Sequence, residues 1–121
     1  MAKILVVDDS STVRDEVAGF LKSNGLEVMT AVDGKDGLAK LKADPGIRLV
    51  VSDINMPNMD GLTMAEKIRS EQGNTRVNLI MLTTESSPSM KERGKAAGIK
   101  GWIVKPFNGA AVLETFKRLA A

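Results

Sequence analysis

The chain has 121 residues, a formal net charge of +2, and 43% hydrophobic against 26% charged residues. It contains no cysteine and no histidine. That excludes disulfides, thiolate or imidazole metal sites, cysteine nucleophiles and any phosphohistidine chemistry within it. A metal here has to be held by oxygen, which points to magnesium, calcium or manganese.

No apolar run approaches the ~20 residues that cross a bilayer. The opening MAKILVVDDSS is too short in its apolar part for a signal peptide and meets two acids at once. A cytoplasmic location without membrane insertion is therefore expected. Charge is unevenly spread: residues 1–85 carry 10 Lys and Arg against 13 Asp and Glu, residues 86–121 carry 7 against 2.

In chain order, the first apolar run is KILVVDD (3–9). Val13, Val17, Phe20 and Leu21 then share one helical face, and Asn24-Gly25 supplies a left-handed stop. LEVMTAV (26–32) tends to alternate, which suggests an edge strand, and Leu38 and Leu41 mark a second helix. RLVVSD (48–53) leads into two breaks, at Pro57 and Asp60-Gly61, before a third helix through Ala65 and Ile68. VNLIMLT (77–83) precedes Ser87-Pro88, a cap and first-turn proline for a fourth helix ending near Gly98. KGWIVK (100–105) is the fifth run. Asn108 then caps a last helix with Val112, Phe116 and Leu119 as its buried stripe.

Apart from 26–32, the runs are nearly continuous in Ile, Leu and Val, as strands buried on both faces are. No linker, repeat or low-complexity tract interrupts residues 1–121, so a single domain is expected. Five strands alternating with five helices predict an α/β fold, a doubly wound parallel sheet with helices on both faces. In such sheets ligands bind at the carboxyl ends of the strands, so the residues that end strands carry the interest.

Strand one ends in Asp8-Asp9, strand three in Asp53, strand four in Thr83-Thr84 and strand five in Lys105-Pro106. A parallel sheet brings all of them to one edge. Three gathered carboxylates repel and resist ionisation; a divalent cation such as Mg2+ relieves that. A carboxylate beside the cation can attack phosphorus and become an aspartyl phosphate. Lys105 and the Thr83 hydroxyl can then engage the new phosphoryl oxygens. Singly, each residue has a bland explanation as a cap, a solvated acid or a snorkelling lysine; jointly, they predict a phosphoryl-accepting site. DINMPNMDG fails as a calcium loop, with Asn58 and Met64 at the glycine and glutamate positions. Neither GxxxxGK[ST] nor a GxGxxG after the first strand occurs.

These motifs, LVVDDSS, SDINMPNMDG, MLTTE and VKPF, together resemble the receiver domain of two-component response regulators, and the match spans essentially the whole chain. The resemblance implies the flavodoxin-like strand order 2-1-3-4-5. It implies that Asp53 is the phosphoacceptor, charged by a partner histidine kinase. Mg2+ would be bound by Asp9, Asp53 and the Asn55 carbonyl, with Asp8 acting mainly through water, and Lys105-Pro106 would be cis. Asn55 and Glu85 would face the attacking water and tune dephosphorylation. Those two positions resemble the single-domain chemotaxis regulators, for which a flagellar motor switch protein would be the output partner. No direct nucleic-acid binding is expected. The switch aromatic of the family is commonly Tyr or Phe; here that position is Trp102, larger and with an N–H in place of a hydroxyl.

The switching face in the family comprises the fourth helix, fifth strand and fifth helix, which here overlaps Lys91, Arg93, Lys95, Lys100, Lys117 and Arg118. An acidic docking partner follows. An aspartate-nucleophile phosphatase is disfavoured, since Asn55 stands where that chemistry needs a second aspartate. A phosphorelay shuttle and a receiver belonging to a larger regulator are the remaining alternatives.

Overall fold

The computed structural model describes residues 3–84 and 87–121. Its elements run β1 (Lys3–Val7), α1 (Ser11–Ser23), β2 (Glu27–Ala31), α2 (Gly34–Ala43), β3 (Ile47–Ser52), α3 (Gly61–Ser70), β4 (Asn78–Thr83), α4 (Pro88–Ala96), β5 (Ile99–Val104) and α5 (Gly109–Ala120). The sheet has the order β2-β1-β3-β4-β5, with every neighbouring pair parallel. This is the doubly wound α/β architecture that alternating strands and helices predict, with chain order reversing beside β1.

Alternation along the strands divides the core. Leu5, Val7, Val50, Leu79 and Met81 point to one face, where Leu41 of α2 and Leu62, Met64, Ala65 and Ile68 of α3 cover them. Ile4, Val6, Leu49, Val51, Ile80 and Leu82 point to the other, beneath Val17 and Leu21 of α1 and Phe116 and Ala120 of α5. Successive side chains of a strand face opposite ways, so continuous apolar runs are what a sheet covered on both sides requires.

Helix starts follow from side-chain caps that satisfy otherwise orphaned N–H groups. Ser10 accepts from Val13 N–H, Asp33 from Asp36 N–H, Asp60 from Thr63 N–H and Ser87 from Met90 N–H. Gly25 ends α1 at φ +81°. At α5, Asn108 occupies the cap position but makes no side-chain bond.

Two sequence expectations need correction. The fifth run looks like a strand buried on both faces, yet β5 is the second edge of the sheet, with Lys100 exposed and Val104 63% exposed. On α5, Phe116 is fully buried, but Val112 and Leu119 are only half-buried because they border an open slot beside β5. α4 differs in kind from the other helices: Gly94 is the only buried residue along it.

Candidate functional site

Strand register assembles the site. Val7 pairs with Ser52 and Thr83 with Val104, so Asp8, Asp53 and Lys105 each stand one residue past a paired strand end. Main-chain bonds extend the ladder to them: Asp8 N–H donates to Ala31 O (3.1 Å), Asp53 N–H to Val7 O (2.9 Å) and Lys105 N–H to Thr83 O (2.8 Å). The Lys105–Pro106 peptide bond is cis.

Asp8, Asp53 and Thr83 are buried, while Asp9 is exposed at the rim. One carboxylate oxygen from each of Asp8, Asp9 and Asp53 can be chosen so that all three lie within 4.8 Å of one another. Lys105 Nζ lies 3.4 Å from Oδ2 of Asp8 and 3.4 Å from Oδ2 of Asp53. Asp53 Oδ1 accepts from Ile54 N–H at 2.8 Å, and Asp8 Oδ1 from Ser10 N–H at 2.9 Å. Asp8 Oδ2 is buried and accepts no hydrogen bond.

Burial, and after it the charge of Asp8, pushes the Asp53 carboxyl above the usual carboxylate range, against the opposing pull of Lys105. Three carboxylates facing one ammonium leave excess negative charge in a partly water-excluded corner. Asp8 Oδ2, which accepts no hydrogen bond, and the all-oxygen donor set fit a hard divalent cation such as Mg2+.

Asn55 is exposed on the loop two residues beyond Asp53. Trp102 is half-buried on β5, packed against the core face that α2 and α3 cover. Glu85 lies outside the described residues. Arg93 departs from the solvated basic stripe read from sequence: it makes a two-point pair with Glu66 of α3, Nη2–Oε1 2.8 Å and Nε–Oε2 3.3 Å.

The structure adds residues that sequence patterning missed. Arg14 of α1 donates through Nη1 to Asp8 O at 2.6 Å, fixing the loop that carries Asp8 and Asp9. Nothing in its i+6 spacing from Asp8 marks that contact. Asn58, at φ +68°, donates to Asp33 Oδ2 at 2.9 Å and braces the Asn55 loop against the start of α2. Gly61 packs on the Asp53 carbonyl so closely that a Cβ there would collide with it. The Asp-Gly turn signal at 60–61 was the only sequence trace of that constraint.

A five-stranded sheet in this order, with an acidic corner and an opposed lysine at its carboxyl edge, defines a class, and the chain belongs to it: the response regulator receiver domain family, whose model matches residues 4–117. Within that family it is similar to chemotaxis response regulators. It is 42% identical over 114 residues to the chemotaxis protein CheY of Treponema pallidum, covering 93% of this chain and 78% of that one. The structure of chemotaxis protein CheY4 of Vibrio cholerae superposes with a TM-score of 0.89 at 43% identity, over 98% of each chain. The CheX–CheY–BeF3–Mg2+ complex of Borrelia burgdorferi contains a chain matching at TM-score 0.88 and 30% identity, over 99% of this chain and 90% of that one.

Proposed function

We propose that the chain is a phosphorylation-controlled regulator that accepts one phosphoryl group on Asp53 from a histidine kinase. The convergence of Asp8, Asp53 and Lys105 on one strand edge carries this reading, with Asp8 Oδ2 accepting no hydrogen bond and facing the Lys105 ammonium at 3.4 Å. Oδ1 of Asp53 is engaged by Ile54 N–H, so Oδ2 is the attacking oxygen. The O–P bond forms as the P–N bond to the kinase imidazole breaks, and the imidazole leaves to be protonated. Asp9, Asp53 and the Asn55 carbonyl would hold Mg2+, with Asp8 acting mainly through water, and the cation would supply charge neutralisation for the incoming phosphoryl group. Lys105, already at the carboxylate, pairs with one phosphoryl oxygen, and the buried Thr83 hydroxyl donates to another. Asn55 and Glu85 set how readily water reaches the phosphoryl group. The presence of beryllofluoride, a stand-in for a phosphoryl group, with Mg2+ in the related Borrelia complex supports the same chemistry.

The output is binding rather than turnover of a substrate. Lys91, Lys95, Lys100, Lys117 and Arg118 on α4, β5 and α5 are exposed and, among the described residues, form no ion pair. They suit an acidic docking surface, which the chemotaxis relatives suggest is a flagellar motor switch protein reached in the cytoplasm. No helix among the described residues is long and apolar enough to cross a membrane.

Intact mass after incubation with acetyl phosphate tests the chemistry. The wild-type chain should gain one phosphoryl group only with Mg2+ present, and Asp53→Asn none. Equal labelling of Asp53→Asn would refute Asp53 as acceptor.

A further inference from the structure

The Trp102 indole occupies the space where a side chain at position 94 would stand. A Cβ placed on Gly94 would lie 3.0 Å from Ile99 Cδ1 and 3.2 Å from Trp102 Cη2, and closer still to Trp102 Cζ2. The obstacle is a rigid ring on a strand, not the end of a flexible chain. Gly94 is the seventh of nine residues in α4, within its last turn, where glycine is a poorer helix former than alanine. Its presence there needs a reason, and the ring supplies one.

α4 has little else to hold it. Gly94 is its only fully buried residue; Met90 packs half-buried against the core, and the other ties of the helix are polar. The Arg93–Glu66 pair joins it to α3, and beyond its last turn Arg69 of α3 donates to Ala97 O (2.8 Å) and Gly98 O (3.4 Å).

We propose that Gly94 is a positioning residue for Trp102: it forms a seat that makes the ring's inward position and the placement of α4 a single coordinate. A ring larger than the usual Tyr or Phe fits inward only because position 94 has no side chain. Ring and helix then move together, with the Arg93–Glu66 pair as the polar tie that has to yield. The seat is a property of the unmodified protein; its use in signalling rests on the phosphorylation proposed above.

The test is a double-substitution cycle on the unphosphorylated protein without Mg2+: wild type, Gly94→Ala, Trp102→Phe and the pair, with circular dichroism confirming the fold. Alanine is the better helix former, so without a seat Gly94→Ala should raise Tm by about 4 °C in either background. With a seat, that gain appears only in the Trp102→Phe background. Gly94→Ala alone then lowers Tm, shifts Trp102 emission to the red and increases its quenching by acrylamide. Folding of the pair but not of Gly94→Ala alone also supports the seat. A Tm gain in both backgrounds with unchanged emission overturns it, as does failure of the pair to fold.

A second arm adds Mg2+ and beryllofluoride. The wild-type emission should respond, and Gly94→Ala, with its ring already displaced, should respond less. A silent wild type beside the expected cycle would contradict the phosphorylation reading and leave the seat established.

Discussion

Nζ of Lys105 stands 3.4 Å from Oδ2 of Asp53 and equally far from Oδ2 of Asp8, one ammonium shared by two buried carboxylates. Removing it leaves those carboxylates facing each other in a poorly solvated corner. Lys105→Met should therefore destabilise the chain by on the order of 1–3 kcal/mol at neutral pH without divalent cation. Much of that loss should be recovered on adding Mg2+, so the stabilisation by Mg2+ should exceed the wild-type value. Urea unfolding with and without Mg2+ measures both. An equal Mg2+ effect in the two proteins would show that Lys105 and the cation do not serve the same charges.

Asp53 gives the pH dependence its sign. Its carboxyl is raised in the folded chain, first by burial and then by Asp8. The folded state thus holds this proton more tightly than the unfolded one. Its contribution to stability is greatest below the ordinary carboxylate pKa and declines as pH rises through the raised value. Asp53→Asn should remove that decline, so its Tm advantage over wild type, without Mg2+, should grow with pH across that window and then level off. Saturating Mg2+ should narrow the gap, since ligand at ten times its Kd stabilises the binding-competent wild type by about 1.4 kcal/mol. Thermal melts across pH check it; a gap independent of pH would contradict the shift.

Gly61 lies against the Asp53 carbonyl, which is backbone and cannot swing aside. Gly61→Ala should shift the loop carrying Asn55, weakening Mg2+ binding severalfold while α3, capped independently by Asp60, persists. Mg2+ titration beside far-ultraviolet circular dichroism separates the two effects. Unchanged Mg2+ affinity would show that the loop tolerates the shift.

Phe116 is fully buried between α5 and the sheet and stacks at 6.2 Å on Phe107, which meets Phe20 edge-on at 5.8 Å. Phe116→Ala should cost about 3–5 kcal/mol. Denaturant unfolding reads it directly, and a loss below about 1 kcal/mol would mean that the cavity collapses.

Sequence legibility followed the strength of local rules. Apolar runs ending in Asp8, Asp53 and Lys105 were readable because a strand buried on both faces has few reasons to end in charge. Ser87-Pro88 was readable because capping chemistry is local, and Met90 N–H does donate to Ser87 Oγ at 3.2 Å. What escaped were contacts between elements distant in sequence. Arg93 looked like one more solvated cation because Glu66, 27 residues away, leaves no trace in its neighbourhood. The apolar Trp102 and Ile103 made β5 look buried on both faces, although the order 2-1-3-4-5 leaves it one neighbouring strand. Gly94 carries no sequence signal of its role, because Trp102 meets it only through the packing of α4 against β5.

Trp102 is the only tryptophan in the chain, and its fluorescence tests the central claim most directly. Mg2+ is added first, then acetyl phosphate, with intact mass sampled alongside. The account predicts a Mg2+-dependent change, then a second change that tracks phosphoryl incorporation, decays as donor is removed, and is absent in Asp53→Asn. An unmodified mass with acetyl phosphate and with a histidine kinase alike would contradict it, and would leave the acidic corner as a cation site without phosphoryl chemistry.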